Sequence, residues 1–200
     1  MALTIVTEPA IEPLTLEQIE GHLRLSETST GGEDGLLLIF LTAARRYCEL
    51  VQGHAYIEQT WNLVLDDFPS GTSIKIPRPP LMSVSHVKTY GAGGTAATMT
   101  AGRYYVDTDS KPGRVVLGSG ESWPSTPGQP VSGVEVQFVA GYGSAASSVP
   151  GEVKQAIQLV VGHMYEHREG SDVKAMSPDW IKKSFMGVDA ILGLGKVWMV

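Results

Sequence analysis

The hydrophobic period of this chain changes twice, and those two changes constrain its fold more than any other feature. Helical spacing marks two segments between residues 15 and 52, separated by the loop SETSTGGEDG; strict alternation takes over from Tyr56, and VEVQFVAGYG then gives way abruptly to VPGEVKQAIQLVVGHMYEHRE. A repeat near 3.6 puts residues i, i+3 and i+4 on one helical face, whereas a repeat of two alternates side chains across a sheet. Helices therefore bracket a β block, and the helical part is expected to be assembled from both ends of the chain. The expected class is α+β: a helical bundle of two N-terminal helices plus the long helix after the β block. An antiparallel β sandwich or barrel-like subdomain is inserted in it, and an extended apolar C-terminal tail follows. The divisions fall at 1–54 (N-terminal helical part), 55–148 (β subdomain), 149–170 (long helix) and 171–200 (assembly tail).

Local signals support this order. Thr15 and Gln18 have capping-box spacing, with Leu14 and Ile19 set for a hydrophobic staple ahead of the stripe Leu16, Ile19, Leu23. Asp34 is expected to cap a second helix ending at Gly53, where the left-handed position after a helix end suits a residue without Cβ. Leu36 to Leu41 are apolar on every side of that helix, which predicts burial all round, against other helices or a neighbouring subunit. In YIEQTWNLVLDDF, residues Ile57, Gln59, Trp61, Leu63 and Leu65 share one strand face. Further strand signals lie at SIKIP, SVSHVKTY, 103–107, 114–117 and 133–139. Pro150 and Glu152 suit the start of the last long helix, with Val153, Ile157, Val160 and Met164 as its apolar stripe.

Charge and cysteine content exclude several classes. The formal net charge of −6 argues against a general nucleic-acid binder, which needs a basic surface. The single Cys48 rules out an internal disulfide and a cysteine zinc cluster. MALTIVTEPAIEPLT lacks a basic segment followed by an apolar core, and 36–41 is too short to span a bilayer, so no secretory signal and no membrane association are expected, with the cytoplasm as the default compartment.

Catalytic motifs are weak. His163-Met164-Tyr165-Glu166-His167 matches H-x-x-E-H, in which two histidines one helical turn apart could grip zinc with Glu166 as base. It lies at the end of a helix whose stripe serves the core, and third ligands are restricted to neighbours such as Glu169 and Asp172; a zinc-dependent hydrolase is the alternative reading. Asp107 and Asp109 flank a turn with Ser110 and Gly113 that lacks EF-hand spacing and is expected to be an aspartate-stabilised turn. No phosphate-binding glycine loop and no nucleophile elbow is present. The expectation is a non-enzyme without cofactor.

Several blocks together carry a resemblance: EPAIEPLTLEQIEGHLRL, QTWNLVLDDFP, PRPPLMSV, YYVDTDSKPGRV, the SWP turn, VQFVAGYG and VPGEVKQAIQLVVGHMYEHRE. In order and spacing they resemble the head–tail connector (adaptor, or head-completion) family of tailed phages, often described only as conserved phage proteins, over nearly all of residues 1–170. The resemblance implies a virion structural protein of the neck. It would form a homo-oligomeric ring, commonly dodecameric, beneath the portal, extend the DNA channel without sequence-specific binding, and dock a neck or tail completion protein. SFMGVDAILGLGKVWMV only partly follows the family's usual LPLGVEALL ending. A tail-terminator or other tail-tube ring is the second alternative. Apolar surface in excess of a small monomer's needs places the expected interface on Leu37, Phe40, Leu41, Arg45 and Arg46 of the second helix. The tail adds Trp180, Ile181, Phe185, Ile191, Leu192, Val197 and Trp198.

Overall fold

The computed structural model describes residues 1–25, 33–124, 128–167, 187–188 and 190–193. Three helices are built from the two ends of the sequence. The first, α1 (Leu16–Leu23), starts with the expected capping box: Gln18 N–H donates to Thr15 Oγ1 at 3.3 Å, and Thr15 N–H donates to Gln18 Oε1 at 3.1 Å. The second, α2 (Asp34–Gln52), ends on Gly53 at φ 75°, the left-handed position that disfavours a Cβ. Its N-cap is Glu33 without a side-chain capping bond, and Asp34 sits one residue inside, in the first turn, where a carboxylate favours the helix dipole. The third, α3 (Gly151–Glu166), begins behind Pro150 as expected. Residues 187–188 and 190–193 are also helical.

Among the described residues, eight strands form two antiparallel sheets. The larger has the order β1-β2-β8-β4-β5, from β1 (Ala2–Thr7), β2 (Gln59–Leu65), β8 (Val134–Ala140), β4 (Leu81–Tyr90) and β5 (Ala96–Thr98). The smaller has the order β3-β7-β6, from β3 (Ser73–Lys75), β7 (Arg114–Leu117) and β6 (Tyr104–Asp107). Neither sheet closes on itself, so the barrel-like alternative is not what forms: β1 and β5 remain edges of one sheet, β3 and β6 of the other.

The N-terminal stretch also departs from expectation, because it enters the large sheet before the first helix. LTIVT is rich in β-branched residues, and Ala2 to Thr7 pairs with β2, with Leu3 opposite Leu63 and Ile5 opposite Trp61. The register shift between Ile5 and Thr7 marks where the strand leaves the ladder. Similar shifts interrupt β4 between Leu81 and Ser83 and between Val84 and His86, so Val87 is buried although strict alternation from Val84 already places it opposite that residue's face.

Two apolar clusters hold these parts. The helical one joins Ile19, Leu37, Leu41, Ala44, Cys48, Val153, Ile157 and Val160, and includes Val188 and Leu192 from the far end of the chain. The β cluster draws Leu63, Val87, Val136 and Phe138 from the large sheet and Ile74, Tyr104 and Val115 from the small one. Fully burying one such aliphatic side chain is worth roughly 1.5–3 kcal/mol. The apolar run at 36–41 is not buried all round: Leu37 and Leu41 are inside, while Leu38 and Ile39 are 46% and 64% exposed. An α2 lying on one side of a three-helix layer can turn only about half its circumference inward, whatever its composition.

Candidate assembly surface

The helical layer and the large sheet meet around the second half of α2. Arg45, only 3% exposed, lies between two carboxylates: Nε donates to Glu12 Oε2 at 2.8 Å and Nη1 donates to Glu49 Oε2 at 2.9 Å. The other oxygen of Glu49 accepts from the Tyr56 N–H at 2.9 Å and from Gln59 Nε2 at 2.8 Å. One buried carboxylate thus binds α2, the 53–58 connection and β2 together. Burial pushes the Glu49 carboxyl upward, and Arg45 with the two other donors opposes that shift. For Arg45, burial acts to lower the pKa, but Glu49 and Glu12 outweigh it and hold the guanidinium charged. Three donors surround Glu49 and two carboxylates flank Arg45, the arrangement under which a buried ion pair persists.

Arg78 closes the same corner. Its Nη1 donates to the Glu49 carbonyl at 2.9 Å and its guanidinium lies 5.2 Å from the Trp61 ring centroid. The residue has φ 61°, an uncommon conformation for a side chain of this size, held by those two contacts. Between this corner and β1 lies an open pocket of about 290 Å³, walled by Ile5, Glu8, Arg46, Leu50, Trp61 and Arg78. Trp61 Nε1 is buried there and has no acceptor among the described residues. Arg46 crosses the rim to pair with Glu8.

The expected interface residues separate into three groups. Leu37, Leu41, Arg45 and Leu192 lie inside the chain's own core, and the Leu192 carbonyl accepts from Gln52 Nε2 at 3.4 Å. Such side chains have no free surface to present, because α2 uses them to hold α3, the N-terminal arm and the 187–193 segment. Phe40 and Ile191 are half-buried against the helical cluster, and Arg46 is exposed. Trp180, Ile181, Phe185, Val197 and Trp198 lie outside the described residues. The outward apolar residues of α2 are instead Leu38, Ile39 and Leu50, the last 67% exposed. Sequence alone could not separate Leu38 and Ile39 from Leu37 and Leu41, because every position from Leu36 to Leu41 is apolar.

The H-x-x-E-H motif has a local arrangement of its own. The His163 and His167 rings stack with centroids 4.5 Å apart, and His167 Nδ1–H donates back to the His163 carbonyl at 3.0 Å. Burial lowers the pKa of His163, His167 adds to this, and Glu166 opposes it. Among the described residues, no group of three His, Cys, Asp or Glu side chains converges to hold a metal; Glu169 and Asp172 lie outside those residues. Asp107 is the turn stabiliser expected from its position. It accepts from the Ser110 hydroxyl at 2.7 Å, from Arg114 Nε at 2.8 Å and from the backbone N–H groups of Asp109 and Ser110. Ser110 and then Arg114 hold its carboxyl down to about 2. Among the described residues, no helix is long and apolar enough to cross a membrane.

No family model matches the chain, and no curated protein does. Solved structures do. A chain from the neck of an empty GTA particle, computed with C6 symmetry, is 28% identical with a TM-score of 0.80, and the match covers 100% of this chain and 97% of that one. A chain from the virion of a native gene transfer agent (GTA) particle is 27% identical with a TM-score of 0.80 and the same coverage. A third, from the neck of a native GTA particle computed with C12 symmetry, is 26% identical with a TM-score of 0.78, again over 100% and 97%. The likeness therefore spans the helical layer and both sheets, and the chain is similar over its whole length to chains of a gene transfer agent neck and virion.

Proposed function

We propose that this protein is a structural component of the neck of a phage-like particle, and specifically a head–tail connector that forms a ring beneath the portal. The observation that carries this reading is the end-to-end similarity to neck chains at 26–28% identity. The C6 and C12 symmetries of those necks support a cyclic homo-oligomer and are compatible with twelve copies. The origin of these chains in a neck favours the connector over a tail-tube or tail-terminator ring. A net charge of −6 suits a conduit along which DNA moves without adhering, since carboxylates repel phosphates. In this reading the protein resides in the virion neck after assembly in the host cytoplasm, and its partners are its own copies, the portal and a neck or tail completion protein. The chemistry is structural, with no catalytic step and no cofactor.

The C-terminal tail is the second part of the proposal. In this reading Trp180, Ile181, Phe185, Val197 and Trp198 of the tail contact neighbouring subunits or the portal, while Val188 and Leu192 stay in the chain's own core. Sedimentation of the purified chain with and without the portal of the same particle tests the reading. A ring-sized species that forms on the portal is expected; a chain that stays monomeric and does not associate with portal overturns it.

A further inference from the structure

The outward stripe of α2 carries Leu38, Ile39, Thr42, Ala43, Arg46 and Leu50, on the side opposite the buried Leu37, Leu41, Ala44 and Cys48. Three of its apolar side chains are 46%, 64% and 67% exposed, which is a large apolar investment for a face open to water. The short side chains of Thr42 and Ala43 leave a shallow hollow bounded by Leu38, Ile39 and Arg46. On α3 the stripe Val153, Ala156, Ile157, Val160 and Val161 is turned into the same core. The other side of α3 exposes Glu152, Gln155, Glu166 and one large apolar residue, Leu159, at 39%. The end of α1 comes against Gly162 and leaves those residues open.

Because α2 and α3 both direct their buried stripes into one core, their outer faces point away from it in different directions. A ring with cyclic symmetry and more than two subunits requires such a pair of different faces on each subunit, one for each neighbour. The two faces also match in shape and charge. One has a hollow and the other an exposed Leu159, the kind of pairing from which helix packing is made. Between residues 38 and 50 the only carboxylate is the buried Glu49, and the exposed charge is Arg46. The outer α3 stripe holds Glu152 and Glu166. Arg46 already pairs with Glu8, but a guanidinium has five N–H donors and can serve a second acid.

We propose that the outer face of α2 is the docking surface for the outer face of α3 of a second copy of this chain, in a head-to-tail contact repeated round the ring. This rests on the connector reading. It moves the subunit interface from the residues of α2 that look most hydrophobic in sequence to those the helical layer leaves uncovered.

The test is cross-linking between two full-length variants, Ile39→Cys and Leu159→Cys, with the buried Cys48 left in place. They are assembled on the portal separately and as a mixture, treated with a short bismaleimide, and run beside a sedimentation measurement. A covalent dimer that appears only in the mixture is the expected result. A ring that forms normally but gives no dimer in the mixture, or an Ile39→Cys chain that cross-links to itself as readily, overturns this inference and leaves the connector reading intact. Failure of the unmodified chain to form any ring overturns both. A second variant, Leu50→Glu, alters a residue 67% exposed, and its circular dichroism spectrum is expected to match that of the natural chain. It is expected to weaken assembly by about tenfold or more, the equivalent of losing one buried apolar anchor; assembly equal to the unmodified chain counts against the proposal.

Discussion

Arg45 Nε and the Glu12 carboxylate meet at 2.8 Å although 33 residues separate them, and this bond ties the N-terminal arm to the middle of α2. The same guanidinium reaches Glu49 one turn further along, so one side chain connects the arm, the helical layer and, through Glu49, strand β2. Replacing Arg45 by leucine removes the cation and leaves Glu49 buried with only neutral donors. Arg45→Leu is expected to lower the unfolding free energy by about 3–5 kcal/mol, the usual effect of breaking a buried ion pair from one side. Glu12→Gln leaves Arg45 paired with Glu49 and should lose only about 1 kcal/mol. Urea denaturation of the two variants checks the ranking; equal losses contradict it.

His54 is 3% exposed, and burial followed by the nearby Lys111 and Arg78 lowers its pKa from 6.5 to about 4. The Tyr142 hydroxyl lies within hydrogen-bond reach of its Nδ1 at 3.4 Å. A folded-state pKa below the unfolded value means that the unfolded chain takes up the proton first as pH falls. The His54 contribution is therefore complete above about pH 6.5 and is lost progressively down to about pH 4. Urea midpoints at pH 7.5 and pH 5 should fall further for the natural chain than for His54→Gln; parallel declines would show that His54 is not the group responsible.

Cys48 is completely buried, and its thiol is pushed up to about 12, first by that burial and then by the Glu49 charge. The thiolate is the reactive form, so the folded protein should resist iodoacetamide at pH 8 and react once urea unfolds it. Rapid labelling of the native protein would place Cys48 outside the core.

Leu192 and Val188 are 1% and 2% exposed in the helical core, which bears on how the tail is to be dissected. A deletion of residues 179–200, meant to remove the tail alone, would also take away these two core residues. Leu192→Ala alone should destabilise the protein by about 2–5 kcal/mol. Deletion of 194–200, which removes none of the described core, is the cleaner test of the tail's role in assembly. Thermal melts of both proteins distinguish a folding defect from an assembly defect.

Gly141 has φ 142°, and a Cβ there would lie 2.7 Å from Glu58 N and 2.7 Å from Ile57 C, where sheet and helical layer are joined. Gly141→Ala should cost about 2–4 kcal/mol through backbone collision and a strained dihedral. Gly35, in the first turn of α2 with nothing within 4 Å of its Cβ position, gives the opposite sign. Gly35→Ala should stabilise by up to about 1 kcal/mol. Calorimetric melting temperatures check both directions.

Much of the element order could be read from spacing. The capping box at Thr15 and Gln18, the Gly53 helix end, the alternation in β2 and the Pro150 start of α3 are local patterns, and each forms where its residues predict it. The run from Leu36 to Leu41 resisted the same treatment because six consecutive apolar residues carry no period and so name no face. The strand at Ala2–Thr7 was missed because a short stretch before a helix has no pattern that identifies its partner; β2, which it joins, lies more than fifty residues away.

That helices from both ends bracket a β block is legible in the residues alone, because periodicity is a property of near neighbours and survives without a partner. Only the tertiary structure decided which side of α2 is inside. That choice depends on where α3, the N-terminal arm and residues 187–193 come to rest against it. Arg45 and Leu37 were thereby drawn into the interior, and Leu38, Ile39 and Leu50 were left at the surface, since a helix can direct only one face into a core shared by elements distant in the chain.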